Sequence, residues 1–252
     1  MQDALEHALG QIAGHRIHTI CAGRTDAGVH ALAQVVHFDT DARRPPSAWV
    51  RGVNASLPDD VAVHWAAPVA ADFHARFSAT ARTYRYLLLQ SASRTPLWDG
   101  RAGWTHRRLD LDAMRQAAGA LVGRHDFSAF RSAQCQAASP VRTLERLDLH
   151  AHGPMLVFTL RANAFLHHMV RNLVGTLVAV GLARRPPGWA GEVLASRDRG
   201  RAAATFSPAG LYLAAVDYPA PHAVPSGLAD ATGHGLADAS TLLASLAGAP
   251  VR

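Results

Sequence analysis

The 252-residue chain contains no lysine. Its 25 basic side chains are all arginine against 19 Asp and Glu, giving a net charge of +6 and an isoelectric point near 10.3. Arginine presents a planar fork that suits phosphates and can stack on bases. An arginine-only basic surface therefore favours a polyanionic partner such as nucleic acid. A GC-rich coding sequence would also raise Arg together with Ala, Gly and Pro, so the choice of Arg over Lys has two explanations. The net charge still calls for a partner. Cysteine is nearly absent too: Cys21 and Cys135 lie far apart, which excludes a disulfide framework and indicates no zinc site. Long apolar runs are missing, since Leu173–Ala183 falls short of the roughly 20 residues of a membrane span. It fits a buried helix. Met1–Gly10 is amphipathic and carries acidic residues, unlike a secretory signal. The chain thus reads as cytosolic. No repeat, phosphate loop or dinucleotide fingerprint is visible.

What the chain does have is Cys21-Ala22-Gly23-Arg24-Thr25-Asp26-Ala27-Gly28-Val29-His30, set between two runs that read as strands, Ile17–Cys21 and Gln34–Phe38. Gly23 and Gly28 bracket the stretch and let the backbone turn sharply, which holds Asp26 on a short loop. A carboxylate there is ionised at neutral pH, with a reference pKa of about 3.9. It can serve as nucleophile, general base or metal ligand, or simply close a turn on its own backbone.

The remaining chain gives a helix over residues 3–13, with Ala4, Leu5, Ala8, Leu9 and Ile12 on one face. Ser47 is placed to cap a short helix bearing Trp49 and Val53, and Val61–Trp65 alternates as a strand. Asp72-Phe73-His74-Ala75-Arg76-Phe77 interleaves aromatics with His and Arg, the mixture expected where bases stack and phosphates pair. Arg82–Gln90 alternates as a strand carrying Tyr84 and Tyr86 on one face. Leu111, Met114, Ala118 and Leu121 mark a helix that Gly123 stops. His125–Ser139 is a long loop, and a loop of that length is usually functional or mobile. Val141–His150 and Met155–Ala162 form a strand pair, and Leu211–Tyr218 is a last strand. Leu166–Leu182 is the strongest helix, with His167, His168 and Arg171 in its first turns. Arg171 on a core helix requires an anion. Adjacent histidines on a helix point about 100° apart, which makes them poor co-ligands for one metal. Packing at a helix start is their expected role.

Ala22 to His30, followed by Gln34-Val35-Val36-His37-Phe38, closely resembles the catalytic loop of the tRNA pseudouridine synthase A family. The similarity recurs at Asp72–Phe77, Ala81–Tyr86, Asn163–Arg171 and Gly210–Asp217. The resemblance implies an α+β fold of two ferredoxin-like lobes, with mainly antiparallel sheets flanking a catalytic cleft. It divides the chain into an N-terminal lobe over residues 1–78, a C-terminal lobe over 79–218 and a flexible tail over 219–252. It also implies isomerisation of uridine to pseudouridine at positions 38–40 of the tRNA anticodon stem-loop, without cofactor or metal, by a homodimer. Asp26 takes the catalytic position, Arg171 its counter-charge and Tyr84 the uracil contact, where it would stack on the detached base or take the proton from C5. Arg24 would fill the space left by the flipped nucleotide or hold its backbone. The tRNA contacts implied are Arg44, Phe73, His74, Arg76, Gln134 and Gln136. Two rivals are a non-catalytic RNA-binding fragment of the same fold, and a glycoside hydrolase. The latter normally needs a second carboxylate, and only Asp39 and Asp41 are near in sequence. Relatives in the family begin with a further strand, carrying Tyr-Asp-Gly and Gly-Trp-Gln, that this sequence lacks. Val35, Phe38, Val61 and Val63 are then expected to be poorly covered, with the true start upstream of Met1 and the Met1 chain poorly soluble or inactive alone.

Overall fold

In the computed structural model, residues 1–222 and Val224 are described. The chain begins with helix α1, Gln2–Ala13, whose apolar stripe buries Ala8, Leu9 and Ala13. Strands β1 (Ile20–Cys21), β2 (His30–Ala31) and β3 (Val36–His37) follow, each of two residues, then helix α2, Pro46–Asn54. The expected strands on either side of the Asp26 loop are thus much shorter. Among the described residues β1 and β3 pair antiparallel with each other only, Ile20 opposite His37. Ser47 does not cap α2: Pro45 is the cap residue and Pro46 opens the helix, where a missing N–H costs nothing. Val61–Trp65 is not a strand. The Asn54 side chain takes the place of a neighbouring strand, its Oδ1 accepting from Val63 N–H at 2.7 Å and its Nδ2 donating to Val63 C=O at 2.8 Å. Val35, Phe38, Val61 and Val63 all line an apolar cavity of about 570 Å³ between α1 and residues 61–71.

The larger sheet is built from β4 (Ala81–Gln90), β5 (Gly103–Thr105), β6 (Gly123–Asp126), β7 (Val141–His152), β8 (Met155–Ala162) and β9 (Leu211–Asp217), with β2 added at its edge. Its order is β2-β9-β4-β8-β7-β6, and β5 pairs with the end of β4 that β9 leaves free. Only β2/β9 and β4/β5 run parallel. The β2/β9 pairing, His30 opposite Tyr212, fixes the C-terminal end of the Asp26 loop to the large sheet. β6 and the 3₁₀ turn Ser128–Phe130 occupy part of what reads in sequence as one long loop.

Helices α3 (Leu111–Gly119), α4 (Met169–Gly181) and α5 (Trp189–Ser196) lie with the face of the sheet that carries Tyr86, Leu88, Leu144, Phe158 and Leu160. Leu87, Leu89, Met155 and Val157 belong to a second, smaller cluster, as strand alternation requires. The sheet and its helices place the chain in the α+β class. α4 is the centre of the core: all but two of its residues are buried. Its buried Asn172 bonds through both ends of its amide. Nδ2 donates to Phe130 C=O at 2.8 Å, while Oδ1 accepts from Thr205 at 2.7 Å and Arg199 at 3.1 Å. Gly175 on the same helix lets residues 204–206 lie against it, since a Cβ there would stand 2.4 Å from Ala204 O. No described helix is long and apolar enough to cross a membrane. The expected flexible tail falls almost wholly outside the described residues.

Candidate active site

The Asp26 loop is held at both ends and from below. Ala22 N–H donates to Val35 C=O at 2.8 Å. The Gln34 amide closes a two-way latch on Gly23, accepting from its N–H at 3.3 Å and donating to its carbonyl at 2.6 Å. Val29 N–H returns to Asp26 C=O at 3.1 Å, and Gly28 has φ +79°, the left-handed region that favours glycine. Asp26 does make a turn on its own backbone, but its side chain points elsewhere. Arg171 from α4 donates to Asp26 Oδ2 at 2.8 Å. Its Nε donates to Phe206 C=O, also at 2.8 Å, so the guanidinium is fixed at two points. The expected anion for Arg171 is therefore Asp26.

Two further groups reach the same carboxylate. His167 Nε2 lies 3.0 Å from Oδ1, and His168 Nε2 lies 3.1 Å from Oδ2. This corrects the expectation that both histidines merely pack at a helix start. The helix begins at Met169, so neither histidine lies on it, and the 100° rule does not apply. His168 is the cap residue, with φ +65°, a conformation that a bulky side chain rarely adopts. That backbone turn brings the two rings to 4.0 Å between centroids, and both face Asp26. Burial lowers the pKa of His168 below its ordinary value, and the nearby Asp26 charge only partly offsets this. The sequence signal was the run His167-His168-Met169-Val170-Arg171 itself, in which the last residue already demanded an anion.

Tyr84 lies under the loop, with its hydroxyl 3.5 Å from where a Cβ on Gly23 would stand. Its ring meets Phe165 edge-on at 5.1 Å. Burial pushes its phenol up to about 12. Tyr86, by contrast, is fully buried core and donates to Ser207 C=O. Arg82 was not singled out from sequence and proves central. It is only 8 % exposed, and its guanidinium donates to the carbonyls of Ala22, Arg76, Ala79 and Asn163. One side chain thus ties together the Asp26 loop, the segment at residues 76–79 and the link into α4.

The remaining sequence candidates divide. Arg24 is exposed on the loop. His74 is half-buried, with Nδ1 accepting from the N–H groups of Arg76 and Phe77. Arg76 is exposed and lies over the Phe77 ring at 5.7 Å. Phe73 is only 6 % exposed and packs on Tyr218, His37 and His222. Its ring serves the core, whereas the ring of Phe77 is 76 % exposed. Gln134 and Gln136 are exposed on a loop that packs directly on the site: Ser132 N–H donates to His167 C=O at 3.0 Å, and His167 N–H to Cys135 Sγ at 3.5 Å. Arg131 holds this loop through the carbonyls of Cys135 and Ala137. Arg44 is not brought to the carboxylate cluster; its guanidinium donates to Ile12 C=O at the end of α1.

The arrangement is a part-buried carboxylate bound by a guanidinium and one imidazole, with a second imidazole 3.1 Å away, beside a buried phenol and an exposed arginine. It can present a charged oxygen to an electrophilic carbon. A family model described as tRNA pseudouridine synthase matches residues 1–78 and 117–219. The chain is 62 % identical over 221 residues to a protein of Bordetella petrii named tRNA pseudouridine synthase A, covering 87 % of this chain and 82 % of that one. A protein of the same name from Burkholderia thailandensis is 60 % identical over 225 residues, covering 89 % and 83 %.

Proposed function

This chain belongs to the tRNA pseudouridine synthase family, and from that premise we propose that it isomerises uridine to pseudouridine at positions 38–40 of the tRNA anticodon stem-loop, with Asp26 as the catalytic residue. The observation that carries the reading is the fixed pair of Asp26 and Arg171, 2.8 Å apart on a loop and a core helix far separated in sequence. A nearby positive charge favours the ionised carboxylate, and fixing Arg171 on Phe206 C=O orients it. A non-catalytic RNA-binding module would need no carboxylate held in this way.

The reaction breaks the C1′–N1 bond of uridine and forms a C1′–C5 bond to the same uracil. One proton leaves C5 and one is gained at N1, so no water or redox equivalent is consumed. The nucleotide must first leave its stack, at a cost of a few kcal/mol. Arg24 fills the vacated space, a role supported by its exposure two residues from Asp26. Asp26 engages the ribose or the base. Tyr84 offers a flat wall for the detached uracil. A phenol with a pKa of about 12 stays neutral at physiological pH, which supports stacking over its acting as the acceptor of the C5 proton. Arg76 and Phe77 supply a cation and an exposed ring for the RNA backbone and a base, with His74 beside them and Gln134 and Gln136 on the facing loop. Lobes at residues 1–78 and 79–218, homodimeric assembly and a cytoplasmic location complete the proposal.

The test is Asp26→Asn, which keeps shape and removes charge. Pseudouridine formation on an anticodon stem-loop falls by about 10³-fold or more, while tRNA binding survives with its usual loss at high salt. Turnover near wild type would refute the assignment.

A further inference from the structure

Asp26, His167 and His168 each offer one donor atom, and the three atoms lie within 4.8 Å of one another. We propose that these residues form a binding site for a borderline-soft divalent cation, of which Zn²⁺ is the best fit, and that the ion inhibits the enzyme by occupying its catalytic carboxylate. The inhibitory part rests on the reading of Asp26 given above; the binding part does not.

Zn–N and Zn–O bonds of about 2.0–2.2 Å place neighbouring donors of a tetrahedron about 3.3–3.6 Å apart. His167 Nε2 and Asp26 Oδ1 are already at 3.0 Å, and His168 Nε2 and Oδ2 at 3.1 Å. An outward movement of the His167 ring, with the His168 ring turning from Oδ2 toward Oδ1, admits an ion. Arg171 retains Oδ2 at 2.8 Å, which leaves Oδ1 as the carboxylate donor. Three protein donors then leave a fourth position for water. The donors are held from outside as well: His168 by its cap conformation at φ +65°, and His167 by its backbone bonds to Ser132 and Cys135. Two imidazoles with one carboxylate suit Zn²⁺ or Co²⁺. They do not suit Mg²⁺, which prefers octahedral oxygen and keeps its waters, so Mg²⁺ added with tRNA does not compete. The guanidinium of Arg171 opposes any added cation and holds the affinity down.

The experiment is titration of the whole protein, without RNA, with Co²⁺ and then Zn²⁺. Wild type is expected to develop the intense visible bands of a tetrahedral Co²⁺ centre, bleached by one equivalent of Zn²⁺. His167→Gln and His168→Asn, both checked for wild-type-like thermal unfolding, weaken this centre by roughly tenfold or more, and Asn tolerates the left-handed backbone at residue 168. Zn²⁺ in the pseudouridine assay raises the apparent KM for the stem-loop with kcat retained, and chelator reverses it. Tetrahedral Co²⁺ bands of equal strength in wild type and both variants would overturn the site, as would their absence from wild type. Binding as expected in a protein inactive on every tRNA substrate would instead sink the functional reading and leave the site standing.

Discussion

Replacing Arg171 with Met removes the counter-charge of Asp26 while leaving an apolar side chain on a core helix. Two bonds are lost, one to Asp26 Oδ2 and one to Phe206 C=O, both at 2.8 Å. The Arg171 and Asp26 side chains are 14 % and 25 % exposed. That places the pair between an exposed ion pair, worth about 0–1 kcal/mol, and a buried pair, whose breaking costs about 3–5 kcal/mol. His167 and His168 stay on the carboxylate and soften the loss, so a destabilisation of about 2 kcal/mol is expected. The effect on rate is larger. Removing one preorganised group that orients charge at a reacting centre typically costs about 10²–10³ in kcat. Arg171→Lys restores charge but not the two-point fork, and recovers only part of that loss. The assay is pseudouridine formation at saturating stem-loop, beside thermal unfolding of the same preparations. An Arg171→Met enzyme with wild-type kcat would show that the arginine only supports the helix end, and the electrostatic account of the site would fail.

His168→Gly removes the cost of a left-handed non-glycine residue, and the protein should gain about 1 kcal/mol of stability while turnover drops by roughly tenfold. A variant that is both more stable and fully active would show that the His168 imidazole has no role at the site. Because burial lowers the His168 pKa below 6.5, the unfolded chain takes up that proton first. Stability from this residue therefore falls as pH drops below about 6.5, and denaturant titrations of His168→Asn should show a shallower slope there. Gly175→Ala places a Cβ 2.4 Å from Ala204 O. It should cost about 1–3 kcal/mol and lower kcat by displacing the Phe206 carbonyl that fixes Arg171. Unchanged unfolding and turnover would refute that chain of support.

The sequence by itself determined the elements whose signal is local. The stripe of α4, the alternation of β4, β7 and β8, and the glycine-bracketed loop could all be read because each rests on side-chain period or on turn chemistry. Its net charge also pointed toward a polyanionic partner, and a buried arginine on an apolar helix already required an anion. Resemblance, not spacing, supplied Asp26 as that anion. The tertiary structure alone decided the rest. Whether 61–65 becomes a strand depends on a neighbour, and there the Asn54 amide took the neighbour's place. Phe73 and Phe77 look alike in sequence, yet one is packed in the core and the other faces solvent. The convergence of His167 and His168 on Asp26 turns on one backbone angle at residue 168, which helical periodicity cannot anticipate because it assumes the helix has already begun. The four carbonyls gathered by Arg82 come from segments up to 141 positions apart. Pattern within a window sees none of them, because a hydrogen bond to a carbonyl leaves no mark on the identity of the residue that accepts it.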